Sequence, residues 1–174
     1  MPDSRLYADS RYQQQLDQRG LVFESPIRGG ANYDVTVEHD GVLYVSGMIP
    51  RVQGQLQGQI LGQGRVGEQL DLAGAQRAAE ICVLRGLGIL QQQLGSLNRV
   101  AKVLRMTVYT QSAADFTQQS EVADAASAIL YEVFTPHGQH TRTSVGVYQL
   151  PKNAAVELDL IVAIHPALPA SSGV

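Results

Sequence analysis

A single cysteine, Cys82, stands among the 174 residues, so no disulfide can close within the chain and no zinc knuckle can be built from thiolates. A reducing compartment, with the cytoplasm as the default, is the expectation. Long apolar runs are missing too. None approaches the roughly 18 residues needed to cross a bilayer, and residues 1–20 are studded with Asp, Arg and Gln where a secretory leader would be apolar. No membrane partner is expected. Basic charge is scarce, with 13 Lys and Arg against 16 Asp and Glu and a net charge of −3. The basic residues are scattered singly and form no stripe for a phosphate backbone, which argues against nucleic acid as a partner. The histidines show no ligand spacing: His137 and His140 flank Gly138-Gln139, and His39 and His165 stand apart, so no metal site is expected. Glycine clusters occur without the residues of a phosphate loop, a dinucleotide fingerprint or a nucleophile elbow, and those chemistries drop out.

What is present suffices for one globular core. Apolar residues make up 44% of the chain and charged residues 17%, enough burial to offset chain entropy without metals or crosslinks. Residues 4–20 carry Leu6, Tyr12 and Leu16 at helical spacing, with Gly20 placed to cap a short lead-in helix. Residues 24–30 are irregular around Pro26 and Gly29-Gly30. Residues 33–50 alternate and contain Asp40-Gly41, a hairpin signal. Residues 51–67 are rich in Gly and Gln and predict a surface loop with room for a short strand. Residues 68–94 carry Leu72, Ala75, Ala79, Cys82, Gly86 and Leu90 on one stripe, a long amphipathic helix ending at Gly95. A strand over 100–109 and a second helix follow; Ala113 opens the helix, Asp115 is its expected cap and Pro136 stops it. Strands over 141–148 and 155–164 close the chain. The expected division is a lead-in segment over 1–32, one domain over 33–165 and a flexible tail over 166–174. The order β-β-α-β-α-β-β predicts an α+β fold, a sheet with both helices on one face. Its other face needs a cover, which points to an oligomer.

Two strands carry the candidate chemistry. Alternation puts Arg142, Ser144 and Gly146 on one face of their strand, so a rigid guanidinium fork has small neighbours and room to grip a carboxylate. A solvated edge-strand arginine is the plain alternative. On the last strand Glu157 and Asp159 point one way. They are candidates to answer Arg142 across the sheet as orienting partners or a general base, or simply to face water.

Two stretches resemble a known family. Val45-Ser46-Gly47-Met48-Ile49-Pro50 is similar to its V-S-G-Q-I-P segment, and the run from Arg142 through Leu150-Pro151 to Glu157 is similar to its A-R-S-x-V-x-V-x-x-L-P-x-x-x-x-V-E signature, without a gap. This is the Rid/YjgF family, and the similarity spans residues 33–164. The resemblance implies a chorismate-mutase-like fold in a homotrimeric barrel, with ligand pockets between neighbouring subunits. It implies hydrolytic deamination of small enamines and imines, of the 2-aminoacrylate or 2-iminopropionate type, to a 2-keto acid and ammonia without a cofactor. By position, Arg142 matches the arginine that holds the substrate carboxylate and Glu157 the glutamate that positions or activates water. Tyr33 matches a pocket tyrosine, Ser46 and Gly47 match the small residues of the pocket floor, and Ser144 takes a place often held by Cys or Thr. Met48 replaces the usual Gln, and Asp124 stands near a usual Asn. Two further activities stay open: a trimer that binds or senses a small keto acid without turnover, and the endoribonuclease L-PSP activity some relatives are named for.

Overall fold

The computed structural model describes residues 7–53 and 59–166. The expected helix start at Ser4, the loop residues Gly54, Leu56 and Gly58, and nearly all of the tail lie outside them. Helix α1 spans Ala8–Arg19, β1 Thr36–His39, β2 Val42–Met48, β3 Arg51–Val52, β4 Gln59–Ile60 and α2 Leu72–Leu94. Strand β5 then covers Val100–Gln111, α3 Gln119–Val133, β6 Thr141–Val147 and β7 Val156–Ile164.

The main sheet has the order β1-β2-β7-β5-β6. All its pairs are antiparallel except β5 with β6, and α3 supplies the crossover that a parallel pair requires. The result is α+β with a mixed sheet, α2 and α3 lying on one face and α1 resting on those helices as an outer layer. The turn between β1 and β2 puts Asp40 and Gly41 at φ 49° and 75°, the left-handed pair that a two-residue hairpin demands. Within 51–67 the chain makes a short hairpin of β3 and β4.

Both long helices start later than their apolar patterns suggest, for one reason. Val66 donates its N–H to Gln111 O and accepts from Ala113 N, both at 2.8 Å, extending the sheet beyond β5. That commits residues 65–70 to a turn, with Gly67 at φ 93°, so α2 begins only after Asp71, whose carboxylate accepts from Gly74 N at 2.8 Å. It also commits Ala113 and Phe116 to a turn, so α3 begins at Gln119 and Asp115 is not its cap.

Every residue of α2 from Ile81 to Leu90 is buried, because the sheet lies on one side and α1 with the following segment on the other. The glycines make this close approach possible. A Cβ at Gly86 would meet Leu160 Cδ1 of β7 at 3.2 Å, and one at Gly88 would meet Ile27 Cδ1 at 2.6 Å and Tyr12 Oη at 2.7 Å. On the opposite sheet face, where no helix packs among the described residues, Val37, Tyr44 and Val145 are 55%, 47% and 40% exposed.

Gly88→Ala is expected to cost about 1–3 kcal/mol by overpacking, despite the better helix propensity of alanine. Urea denaturation checks it; an unchanged or raised stability would show that α1 yields without cost.

Candidate functional site

The register of β5 with its two neighbours decides which side chains can meet. Arg142 and Ser144 pair with Met106 and Val108, which pair in turn with Leu160 and Leu158. In-register side chains share a face, and these are buried beneath the helices. Arg142 therefore lies on the helix side, at the outer strand beside α3. Its Nη1 donates to Asp124 Oδ1 at 2.7 Å and to Ser127 Oγ at 3.0 Å, and its Nη2 to Ser120 O at 3.3 Å. The Arg142 side chain is 23% exposed and that of Asp124 64%. His140 completes the cluster. Its Nδ1 donates to Gly138 O at 2.7 Å, which leaves Nε2 as acceptor for Ser127 Oγ at 3.1 Å. Burial lowers the His140 pKa, and the nearby Arg142 charge adds to that, so the ring stays neutral.

Glu157 and Asp159 pair with Tyr109 and Thr107, and through them with Val145 and Thr143. They lie on the uncovered face. The expectation that they answer Arg142 across the sheet is thus corrected within one chain: the backbone of the sheet stands between them.

Glu157 instead enters a cavity of about 180 Å³ that Tyr33, Gly47 and Met48 also line. The register of β2 with β7 shifts between Val45 and Met48, a bulge at Ser46-Gly47. A side chain at Gly47 would collide with Glu157 Oε1, so only glycine lets the carboxylate lie over the bulge. Burial raises the Glu157 pKa, and the Asp159 charge raises it further. Tyr33 is half exposed at the rim. Met48 pairs with Leu158, belongs to the hydrophobic core and forms an apolar stretch of wall. Ser46 Oγ donates to Asp34 O at 2.9 Å and braces the segment leading to β1. The predicted residues thus fall into two groups, with Tyr33, Gly47, Met48 and Glu157 at the cavity, Ser46 beside it, and Arg142 and Ser144 on the far face.

The cavity wall also holds Arg28, Arg51, Arg85 and Lys152, which the sequence did not single out. Arg85, 3% exposed, makes a two-pronged pair with Glu24 at 2.6 and 3.0 Å and donates to Arg28 O at 3.1 Å and Arg51 O at 3.4 Å. Burial opposes ionisation of Glu24. The Arg85 hydrogen bonds, its own backbone N–H and the charges of Arg85 and Arg51 outweigh it, and the pKa falls below the usual range. A sequence signal existed: Arg85 is the only charged residue between Ile81 and Leu94.

The chain is similar to several known proteins. The sequence profile of the family described as Endoribonuclease L-PSP matches residues 23–164. Protein TCP17 of Trypanosoma cruzi is 35% identical over 163 residues, 92% of this chain and 98% of that protein. The crystal structure of Atu1372 from Agrobacterium tumefaciens superposes with a TM-score of 0.80 at 32% identity, covering 91% of this chain and 96% of that one. E. coli TdcF, crystallised with bound serine, shares the fold with a TM-score of 0.52 at 23% identity, over 83% and 98%.

Glu24→Gln leaves the Arg85 charge buried without an anion, an expected loss of about 3 kcal/mol, at the low end for such pairs because Glu24 is 33% exposed. The same pair sets a pH dependence. Since the folded pKa of Glu24 is depressed, its contribution is full above the unfolded value of about 4.3 and disappears as pH falls through the lower folded value. Denaturation midpoints of the native chain and the variant should converge on acidification; parallel curves would reject the assignment.

Proposed function

Because the chain belongs to the Rid, or endoribonuclease L-PSP, family, we propose that it hydrolyses small imines and enamines of the 2-aminoacrylate and 2-iminopropionate type. The products are a 2-keto acid and ammonia. The observation that carries this reading is the division of the site: a guanidinium beside α3 on one sheet face and a carboxylate in a cavity on the other. Two such halves complete each other only between chains. A homotrimer with its uncovered sheet faces turned inward satisfies both this and the exposed Val37, Tyr44 and Val145.

In the assembled site Arg142 of one chain grips the substrate carboxylate, which fixes the planar C=N group over the partner's cavity. A protonated imine is already electrophilic. Water adds to its carbon while Glu157 accepts a proton from that water. The proton then passes to the nitrogen of the carbinolamine, the C–N bond breaks, and ammonia leaves as the carbonyl forms. Tyr33, Gly47 and Met48 shape the wall, and Ser144 leaves room beside the guanidinium. Serine, bound to E. coli TdcF, is an amino acid of this size. Asp124 complicates binding, since an incoming carboxylate must displace it from Arg142. That pair favours a second reading, a trimer that binds keto acids without turnover.

Three outcomes test the proposal. Arg142→Ala should lower kcat/KM for 2-iminopropionate hydrolysis about 100-fold while melting within a few degrees of the native chain, because a partly exposed pair contributes little. Near-native turnover in that variant rejects the site, and 2-ketobutyrate binding without hydrolysis in the native chain favours the second reading. Asp124→Asn removes the competing charge and should tighten 2-ketobutyrate binding several-fold by calorimetry; weaker binding would mean that Asp124 helps hold the ligand. The acid limb of kcat/KM should lie above the ordinary glutamate value of about 4.3, because activity needs ionised Glu157 and its pKa is raised. Asp159→Asn should move that limb to lower pH, and an unmoved limb would exclude Glu157 as the titrating base.

A further inference from the structure

The cavity wall carries more positive charge than a monocarboxylic ligand needs. Arg85 is committed to Glu24, but Arg28, Arg51 and Lys152 form no ion pair with a carboxylate among the described residues. Glu157 is the one carboxylate of the wall. Charged side chains gathered around a cavity without counter-ions are costly unless something of opposite sign visits it.

These charges are held in place. The buried Arg85 guanidinium hydrogen-bonds the backbone carbonyls of both Arg28 and Arg51, which ties the segment before β1 to the start of β3. Arg51 Nε is buried and has no hydrogen-bond partner. Gly30 leaves space beside the same guanidinium, since a Cβ there would lie 3.9 Å from Arg51 Nη2. Lys152 sits at φ 58° in the loop before β7, and its carbonyl accepts from Gln63 Nε2 at 2.9 Å. The volume of about 180 Å³ far exceeds the roughly 10–15 Å³ that one water requires, so a chain of several carbons fits.

We propose that Arg28, Arg51 and Lys152 form a second anion subsite, so that the preferred ligand is an imino or keto acid with another carboxylate at the end of its side chain. This rests on the imine-binding site proposed above and narrows its substrate class. The first carboxylate lies on Arg142 of a neighbouring chain and the second against Arg51 and Arg28. A ligand without the second group leaves Arg51 Nε without an acceptor, and an unmade hydrogen bond of a buried charged donor is the costly case.

The test compares 2-oxoglutarate with 2-oxopentanoate, which has a methyl group in place of the distal carboxylate, by titration calorimetry on the full chain. The expected result is at least about tenfold tighter binding of 2-oxoglutarate, the scale of one charge-assisted hydrogen bond. The ratio should fall toward one in Arg51→Gln and Arg28→Gln, and shrink with added salt. Thermal melts identify variants that are folded, and Arg28→Gln supplies the answer if Arg51→Gln is not. Equal affinity for the two acids, or a preference that survives both substitutions, overturns the subsite. Arg142-dependent binding of 2-oxopentanoate with no preference for the second carboxylate sinks this inference alone. Binding of neither acid sinks it together with the imine-binding site.

Discussion

Side chains at paired positions on neighbouring strands share a face, and in this sheet that rule divides the chemistry. Met106 and Tyr109 of β5 each fix a row. One runs through Arg142 and Leu160 beneath the helices, the other through Val145 and Glu157 on the uncovered side. No rotamer carries a side chain through a sheet. The cavity around Glu157 and the cluster around Arg142 are therefore distinct features of one chain, and any chemistry that uses both is chemistry of an assembly. The same constraint explains why the sheet tolerates polar groups on both sides. Tyr109 and Asp159 are partners on the open face, and Ser127, His140 and Arg142 satisfy one another beneath α3.

The second organising contact is the Arg85–Glu24 pair. Arg85 sits where α2 is enclosed on all sides, and its charge is tolerable because a carboxylate and two carbonyls surround it. The pair fastens the irregular segment after α1 to the helix and brings Arg28 and Arg51 to the same wall. Tyr12 and Ile27 close over Gly88 from the same direction. Packing and electrostatics thus converge on one stretch of α2, which links the outer layer to the cavity.

Much of the architecture was legible in the sequence, because it rests on periodicity and turn chemistry. The Asp40-Gly41 hairpin, the caps at Gly20 and Gly95 and the strand alternation around Arg142 and Glu157 all follow from local rules. The helix starts did not, since the pairing of Val66 with Gln111 and Ala113 is a long-range contact that no local pattern announces. The faces of Arg142 and Glu157 could each be read on their own strand. Their opposition could not, because it depends on the register of both strands with β5. Arg85 was visible as a lone charge in an apolar helix, but Glu24, some 60 positions earlier in the chain, could be joined to it only by the fold. Met48 was expected at the pocket as a replaced polar contact; it forms apolar wall and core instead, because the bulge at Gly47 turns the next residue inward.

The Asp124 carboxylate on Arg142 has a wider implication. A guanidinium with its own tethered counter-ion presents almost no net field to the solution, so the ordinary organic acids that crowd a cell gain little by colliding with it. A molecule that wins the place does so by contacts made elsewhere on its frame, and the tether thereby turns a general acid trap into a threshold that rewards shape.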